Sequence, residues 1–459
     1  MKQKTFIIIC MISLIFIQNA FSADYKIISV EEAVKISLSN NSDYIISELK
    51  LKEANERVNA VWGELFPVLE SEASITRQDA ETGFMSLSNG SLDLKFVKMK
   101  FGVNPGVFYN TLQASRSSYN ASKEEVKKIK SNVELDVIKS YFAIILFEEM
   151  ISLRKESIVL FKANLKDIQN MYATGSIAKF DLLQAQVQLN SQMPLLYEAE
   201  NNYKTSLDYF NYVLGSDELY KADFKIIEQQ ITAVSSENFD NKIEKLVAFA
   251  MTNRPEIVQL QRKLEVSEYK KNLYESYYIW PTFTIGGYYG YVKNDPNAVD
   301  LNFPGGVQPD FSQITGSNKW QNNWQVNIAA TYRWGSLLQL DSNAAHAREE
   351  ELAVKQAAEE MMKLKKLISI NISSCYSKLF TAYQTILSER ENVKTADEGL
   401  RVAKESFRAG VIKNSDFVSS QYLLTAAKTN YINAINSYYT ALAEIKRETG
   451  LADVSTIFE

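Results

Sequence analysis

From Val107 to Thr174 the sequence contains neither glycine nor proline. At 1.5 Å per residue that stretch allows a single helix roughly 100 Å long. Ser336 to Ala409 is interrupted only by Gly399, and Val411 to Thr449 has no breaker at all. Ser176 to Leu214 carries one proline, Pro194, which is expected to kink its helix by removing a ladder donor. With only 8 Pro and 17 Gly in 459 residues, the elements between breaks must be long.

The long stretches occur twice. Tyr172 to Asp181 aligns with Phe407 to Asp416 at an offset of 235, and the alignment runs without a gap to Gly215 and Gly450. Gly175/Gly410, Ile177/Ile412, Asp181/Asp416, Gln186/Gln421 and Tyr203/Tyr438 coincide. Upstream, Val30-Glu31-Glu32-Ala33-Val34 leads to Asn40-Asn41 as Ile243 to Val247 leads to Asn253-Arg254, and Phe66-Pro67 answers Trp280-Pro281. Internal duplication of this kind means two copies of one supersecondary unit. Each unit reads as helix, Pro, extended region, very long helix, Gly turn and return helix. The expected boundaries are a first repeat over 23–215 (hairpin about 68–103, long helix about 106–174, return helix about 178–214) and a connector over 216–241. A second repeat follows over 242–450 (hairpin about 282–334, long helix about 336–409, return helix about 412–449), with a tail at 451–459.

The return helices carry heptad seams. Phe417, Leu424, Tyr431, Tyr438 and Ile445 recur every seven residues, interleaved with Ser420, Ala427, Ala434 and Ala441. Leu182, Leu189, Leu196, Tyr203 and Phe210 alternate in the same way with Ala185, Gln192, Ala199 and Ser206. Large residues at one seam position and mostly small ones at the other seat knobs in holes and let helices supercoil.

Two extended regions flank this helical framework. In Asn323 to Trp334, Trp324, Val326, Ile328, Ala330, Tyr332 and Trp334 share one face, opposite Asn323, Gln325, Asn327, Thr331 and Arg333. Phe283, Ile285, Tyr289 and Tyr291 line one face of Thr282 to Val292. Strands of roughly 9–11 residues with one apolar face are what a membrane β-barrel uses. In the first repeat Leu92, Leu94 and Phe96 alternate, and the phase then slips to Val97, Met99 and Phe101, as a bulge would cause. Ala80–Ser91 is expected as a short hairpin loop and Lys293–Asn322 as a long one. All five tryptophans lie beside these regions; Trp280, Trp320, Trp324 and Trp334 are candidates for membrane-interface belts, with Trp62 nearby. Four strands cannot close a barrel, and open sheet edges are not tolerated in lipid. Three chains supply twelve strands, so a homotrimer in lipid follows from the strand count.

The remaining composition narrows function by exclusion. Lys2 and Lys4, the apolar run Phe6 to Ile17 and Ala20-Phe21-Ser22 read as a signal peptide over 1–22. A net charge of −5 argues against nucleic acid as a partner. One His and two Cys leave no basis for a His/Cys metal site or nucleophilic triad, and no G-x-x-x-x-G-K-[ST] loop occurs, so neither an enzyme nor a cofactor is expected.

With its paired Tyr/Phe-x-x-Gly-x-Ile-x-x-x-Asp turns at 172–181 and 407–416 and its Val-Glu-Glu-Ala opening at residue 30, the sequence resembles the TolC-like outer membrane efflux protein family over nearly the whole mature chain. The resemblance implies a mainly α fold with a small β part. It implies a trimeric channel-tunnel, in which four strands per chain enter a shared 12-stranded outer-membrane barrel and coiled-coil hairpins form a periplasmic α-barrel. It further implies docking to a periplasmic adaptor (membrane fusion) protein and an inner-membrane transporter of RND, ABC or MFS type. The cargo would be small molecules or, alternatively, polypeptides of a type I secretion system. A water-soluble periplasmic coiled-coil scaffold with a small β domain is the reading from another class. Within the family the two Gly turns sit at the periplasmic aperture, making Gly175, Ser176, Ile177, Gly410, Val411 and Ile412 candidates for tip turns and adaptor docking. Asp416 resembles a pore-facing aspartate, and Asp181 is its mate in the first repeat. Phe407 stands where some relatives carry a gating Tyr, Ser419 where a second pore aspartate occurs, and Tyr172 keeps a hydroxyl in the other hairpin. The local alternatives are that the glycines only form turns and the aspartates only cap helices.

Overall fold

The structure, a computed structural model, describes residues 25–82, 85–223, 231, 234, 239–294, 299–301, 319–334 and 341–451. The signal peptide expected over 1–22 and most of the tail and connector lie outside the described residues. The chain divides into two compact units. One comprises Met1–Leu49, Glu124–Val258 and Met362–Glu459, the other Lys50–Lys123 and Gln259–Met361.

The second unit holds a sheet. Strands β2 (Val68–Thr82), β3 (Met85–Val103), β5 (Thr282–Asn294) and β7 (Gln321–Thr331) lie in the order β2-β3-β5-β7, all antiparallel, and a short β6 (Val299–Leu301) pairs with the start of β3. The phase slip read in β3 is a bulge at Phe96. Against β2 the register jumps between Glu70/Lys98 and Glu72/Lys95, and against β5 it jumps between Lys95/Gly290 and Val97/Tyr289. The extra residue returns Leu92, Leu94, Val97, Met99 and Phe101 to one face. Two loop expectations are corrected. β2 and β3 stay paired out to Thr82↔Met85, so Ala80–Ser91 is mostly strand. β6 lies within 293–322, so that segment is not loop alone. Backbone pairing continues past the apolar pattern here because ladder hydrogen bonds need no hydrophobic face.

In the first unit a capping box opens α1 (Val30–Asn40): Ser29 Oγ accepts the Glu32 amide proton at 3.2 Å, and Glu32 Oε2 accepts that of Ser29 at 3.0 Å. The short β1 (Lys26–Ile28) pairs in parallel with β4 (Tyr220–Ala222). Beneath them Tyr141, Ile144, Phe210 and Leu214 form a buried cluster. Tyr141 belongs to α3 (Pro105–Ala173), the long helix that starts at a proline. The return segment of the first repeat is two helices, α4 (Lys179–Asn190) and α5 (Gln192–Leu214), parted at Ser191. Pro194 is the third residue of α5 and offers no N–H to the carbonyl of Asn190, so the ladder is interrupted there while Ser191 keeps helical dihedrals (φ −68°, ψ −15°). The second repeat returns without interruption: α8 (Ser342–Arg408) is followed by α9 (Asn414–Thr449). Its heptad seam is the core of that hairpin, with Phe417, Leu424, Ala427, Ala434, Tyr438, Ala441 and Ile445 all buried.

The repeats close by matching geometry with different chemistry. Asn41 caps α2 (Ser42–Gly63) through Oδ1, which accepts from Asp43 N at 2.9 Å, while its Nδ2 donates to the Val213 carbonyl at 2.9 Å. At the corresponding place between α6 (Phe239–Asn253) and α7 (Pro255–Ile279) stands Arg254, which reaches Glu448 near the end of α9. Gly215 and Gly450 end α5 and α9 with φ of 65° and 71°. A side chain at Gly215 would also meet the Asn40 carbonyl at 2.6 Å.

Candidate functional site

The candidate residues fall in two places, the Gly turns and the sheet. At the first turn Gly175 (φ 73°) donates to the Tyr172 carbonyl at 3.0 Å and Ser176 to that of Met171 at 2.8 Å. At the second, Gly410 (φ 72°) donates to Phe407 at 3.0 Å and Val411 to Ser406 at 2.9 Å. Both are Schellman endings that use glycine because the left-handed conformation disfavours a Cβ.

The helices that leave these turns begin at matching positions. Asp181 and Asp416 each lie third in their helix, behind the N-caps Ala178 and Lys413, so neither is the N-cap residue. Asp416 Oδ2 accepts the Lys413 amide proton at 3.4 Å while the residue remains exposed. Its charge is also favourable beside the helix N-terminus. Asp181 is half-buried. Ser419 is exposed, and its hydroxyl donates to the Ser415 carbonyl at 2.9 Å. Tyr172 is exposed too.

Phe407 is packed away. It is 7% exposed, and its ring stacks on Phe417 at 5.5 Å between centroids with planes 2° apart. Together with Ile168, Ala185 and Ala403 these rings form the tip core, onto which Ile177 and Ile412 fold. Of the turn residues expected to dock an adaptor, Gly175, Ser176, Gly410 and Val411 are therefore the exposed ones.

Contacts between α3 and the second hairpin went unnoticed in the sequence. Asn164 Nδ2 donates to Asn414 Oδ1 at 3.0 Å inside the core, Arg408 lies 3.6 Å from Asp167, and Lys428 bonds Glu156 at 2.8 Å. No spacing rule could have found them, because each pair joins segments at least 240 residues apart.

The sheet presents two chemically distinct faces. Leu69, Ala73 and Ile75 of β2, Val97, Met99 and Phe101 of β3, Phe283, Ile285 and Tyr289 of β5 and Trp324, Val326, Ile328 and Ala330 of β7 share one of them by register. Ile75 is 84% exposed and Ile328 76%. The opposite face carries Glu70, Glu72, Lys95, Lys98, Lys100 and Tyr288, and Lys95 and Lys98 both bond Glu72, at 2.8 and 2.6 Å. Gly290 lies opposite Lys95 because a Cβ there would meet the Leu94 carbonyl at 2.1 Å.

Aromatic residues bracket the apolar face. Trp280 and Trp334, with Tyr332, lie where the strands meet the helices; Trp320 and Trp324 lie towards the other end. Trp62, at the end of α2, packs edge-on against Phe108. β7 runs for 11 residues, about 36 Å at 3.3 Å per residue. Tilted by roughly 40°, that spans about 28 Å, enough to cross the roughly 25 Å apolar band of an outer-membrane barrel. Among the described residues no helix is long and apolar enough to cross a membrane. No group of three or more His, Cys, Asp or Glu among them gathers as a metal site.

Comparison with known proteins agrees with this geometry. The family model "Outer membrane efflux protein" matches residues 33–216 and 247–451, covering both repeats. The CmeC outer membrane channel of Campylobacter jejuni superposes with a TM-score of 0.75 at 16% identity, covering 95% of this chain and 93% of that one. The outer membrane protein VceC of Vibrio cholerae gives 0.70 at 12% identity, over 92% and 96%. In sequence, the chain is 22% identical over 243 residues to the "Probable outer membrane lipoprotein SilC" of Salmonella typhimurium, a match spanning 52% of this chain and about half (50%) of that relative. The soluble scaffold is thereby set aside. The chain belongs to the outer membrane efflux protein family.

Proposed function

We propose that three copies of this chain form a passive exit duct, each contributing β2, β3, β5 and β7 to one twelve-stranded barrel, and that the duct opens and closes at the Gly175 and Gly410 turns. The observation that carries this reading is the four-stranded sheet with one continuous apolar face and two strands, β2 and β7, each paired on one side only among the described residues. Such a sheet cannot stand in lipid with its edges open. The energy for transport comes from an inner-membrane transporter of RND, ABC or MFS type, coupled through a periplasmic adaptor that meets the exposed Ser176 and Val411 at the tip. Small molecules are the cargo of this reading.

Asp416 faces the pore in this assembly, where three carboxylates meet at the threefold axis and favour cations. The exposure of Asp416 and its place beyond the packed Phe407–Phe417 pair support that role. Single-channel recording in a planar bilayer tests it. Asp416→Ala should shift the reversal potential in a KCl gradient towards zero and weaken block by divalent cations. A reversal potential equal to wild type removes Asp416 from the pore, and the absence of any conductance from purified wild-type protein removes the duct.

A further inference from the structure

The two β-hairpins are copies whose register is shared. Val68 faces Lys100 in the first and Thr282 faces Thr331 in the second, so the entering strands correspond at an offset of 214 and the leaving strands at 231. Inside the chain the copies meet along β3 and β5, where Met99 faces Gly287, Val97 faces Tyr289 and Val103 faces Phe283. Replacing each residue by its repeat mate converts this seam into one between β7 and β2. Met99 and Gly287 become Ala330 and Ala73; Val97 and Tyr289 become Ile328 and Ile75; Val103 and Phe283 become Trp334 and Leu69.

We propose that β7 of one copy pairs antiparallel with β2 of the next copy in this register, Ile328 opposite Ile75 and Ala330 opposite Ala73. The inference rests on the trimeric reading above and adds the register of its seam. Three observations on the single chain agree with it. Every pair it creates joins apolar face to apolar face, whereas a slip of one residue would turn β7 over and send Ile328 to the polar side. The two isoleucines it brings together are both highly exposed in one copy. Continued two residues past the end of β7, the register sets Glu70 opposite Arg333, a favourable cross-strand pair of opposite charges. A slip of two in one direction sets Val68 opposite Arg333 and loses the pair, and in the other it offers Arg333 only Glu72, which Lys95 and Lys98 already hold; the choice of register therefore rests on the match between the repeats.

Cysteine cross-linking of the full-length chain, purified in detergent and carrying Cys375→Ser, tests the register. Ile75→Cys/Ile328→Cys should lose its monomer band on a non-reducing gel and run as covalent trimer, because directly opposed residues come within disulfide reach. Glu70→Cys/Arg333→Cys should do the same from the polar face, while Ile75→Cys/Ala330→Cys and Ile75→Cys/Val326→Cys, each displaced by two, should remain monomeric bands. Light scattering on the same samples separates the two levels. A trimer that cross-links only through a displaced pair overturns the register and leaves the duct. A monomer overturns both.

Discussion

Arg254 offers the sharpest test of how the second repeat is closed. Its side chain is 4% exposed; Nη1 donates to Glu448 Oε2 at 2.7 Å, and Nη2 and Nε donate to Glu256 at 2.8 and 3.2 Å. Glu448 also accepts from Asn371 at 3.3 Å and from Arg447. Arg254→Met strands two largely buried carboxylates, and removing one partner of a buried pair costs about 3–5 kcal/mol. Arg447, 3.7 Å from Glu256, offsets part of this, which places the cost near 3 kcal/mol. At roughly 2–4 °C per kcal/mol for a unit of this size, the helical melting transition in detergent should fall by about 6–12 °C. Arg254→Met/Glu448→Leu removes the stranded charge with its partner, so it should recover more than half of that loss. Arg401→Met, which disrupts an exposed pairing with Glu398 and Glu405, should leave melting near wild type.

The same cluster sets a pH dependence. Burial is the largest influence on Glu256 and pushes its carboxyl up, but the hydrogen bond and charge of Arg254 outweigh it and hold the group below its ordinary value. A lowered folded-state pKa contributes stability that is present above the unfolded value and lost as pH falls through the folded one. Wild type should therefore lose melting temperature on acidification through and below the ordinary carboxylate range, and Arg254→Met should lose less. A single variant that melts within 2 °C of wild type, or one with an unchanged pH profile, would refute the reasoning.

Ile328→Arg puts a charge on the lipid-facing side of β7 and should cost about 2–4 kcal/mol near the bilayer midplane. Asn327→Arg, one residue away on the polar face, should assemble as wild type does. Equal yields of assembled, membrane-extracted protein from the two variants would sink the assignment of faces. Burial, reinforced by the charges of Glu444 and Glu448, pushes the Cys375 thiol up to about 11, so almost no thiolate exists at neutral pH. A maleimide should leave folded protein unlabelled at pH 7 and react once urea exposes the helix; rapid labelling of folded protein would contradict that environment.

Periodicity exposed the helical framework and the membrane-facing strands because both are repeated at short range. The seam running from Phe417 to Ile445 is legible at seven residues, and the apolar side of Trp324 to Ala330 at two. The phase slip at Phe96 was legible as well, since a bulge shifts every later side chain. The extent of β2 and β3 was not, because their outer ends pair through backbone groups where Ala80, Met85 and Leu87 are the sole apolar residues of 77–82 and 85–90. Phe407 is a gate candidate only through its place in the family pattern, and nothing local in the sequence shows that its ring is packed in a core drawn from four separate helices.

Long breaker-free stretches, their duplication and the alternation of apolar strands thus determined a helical hairpin pair with a membrane sheet, because local backbone geometry alone carries those signals. Which residues of the tip are packed and which are presented, and which buried charges close each repeat, depended on the meeting of distant segments. Asn164 finds Asn414, and Arg254 finds Glu448, only when α3, α7 and α9 are brought together. Side-chain partners across such distances are selected by packing, and packing has no period in the sequence.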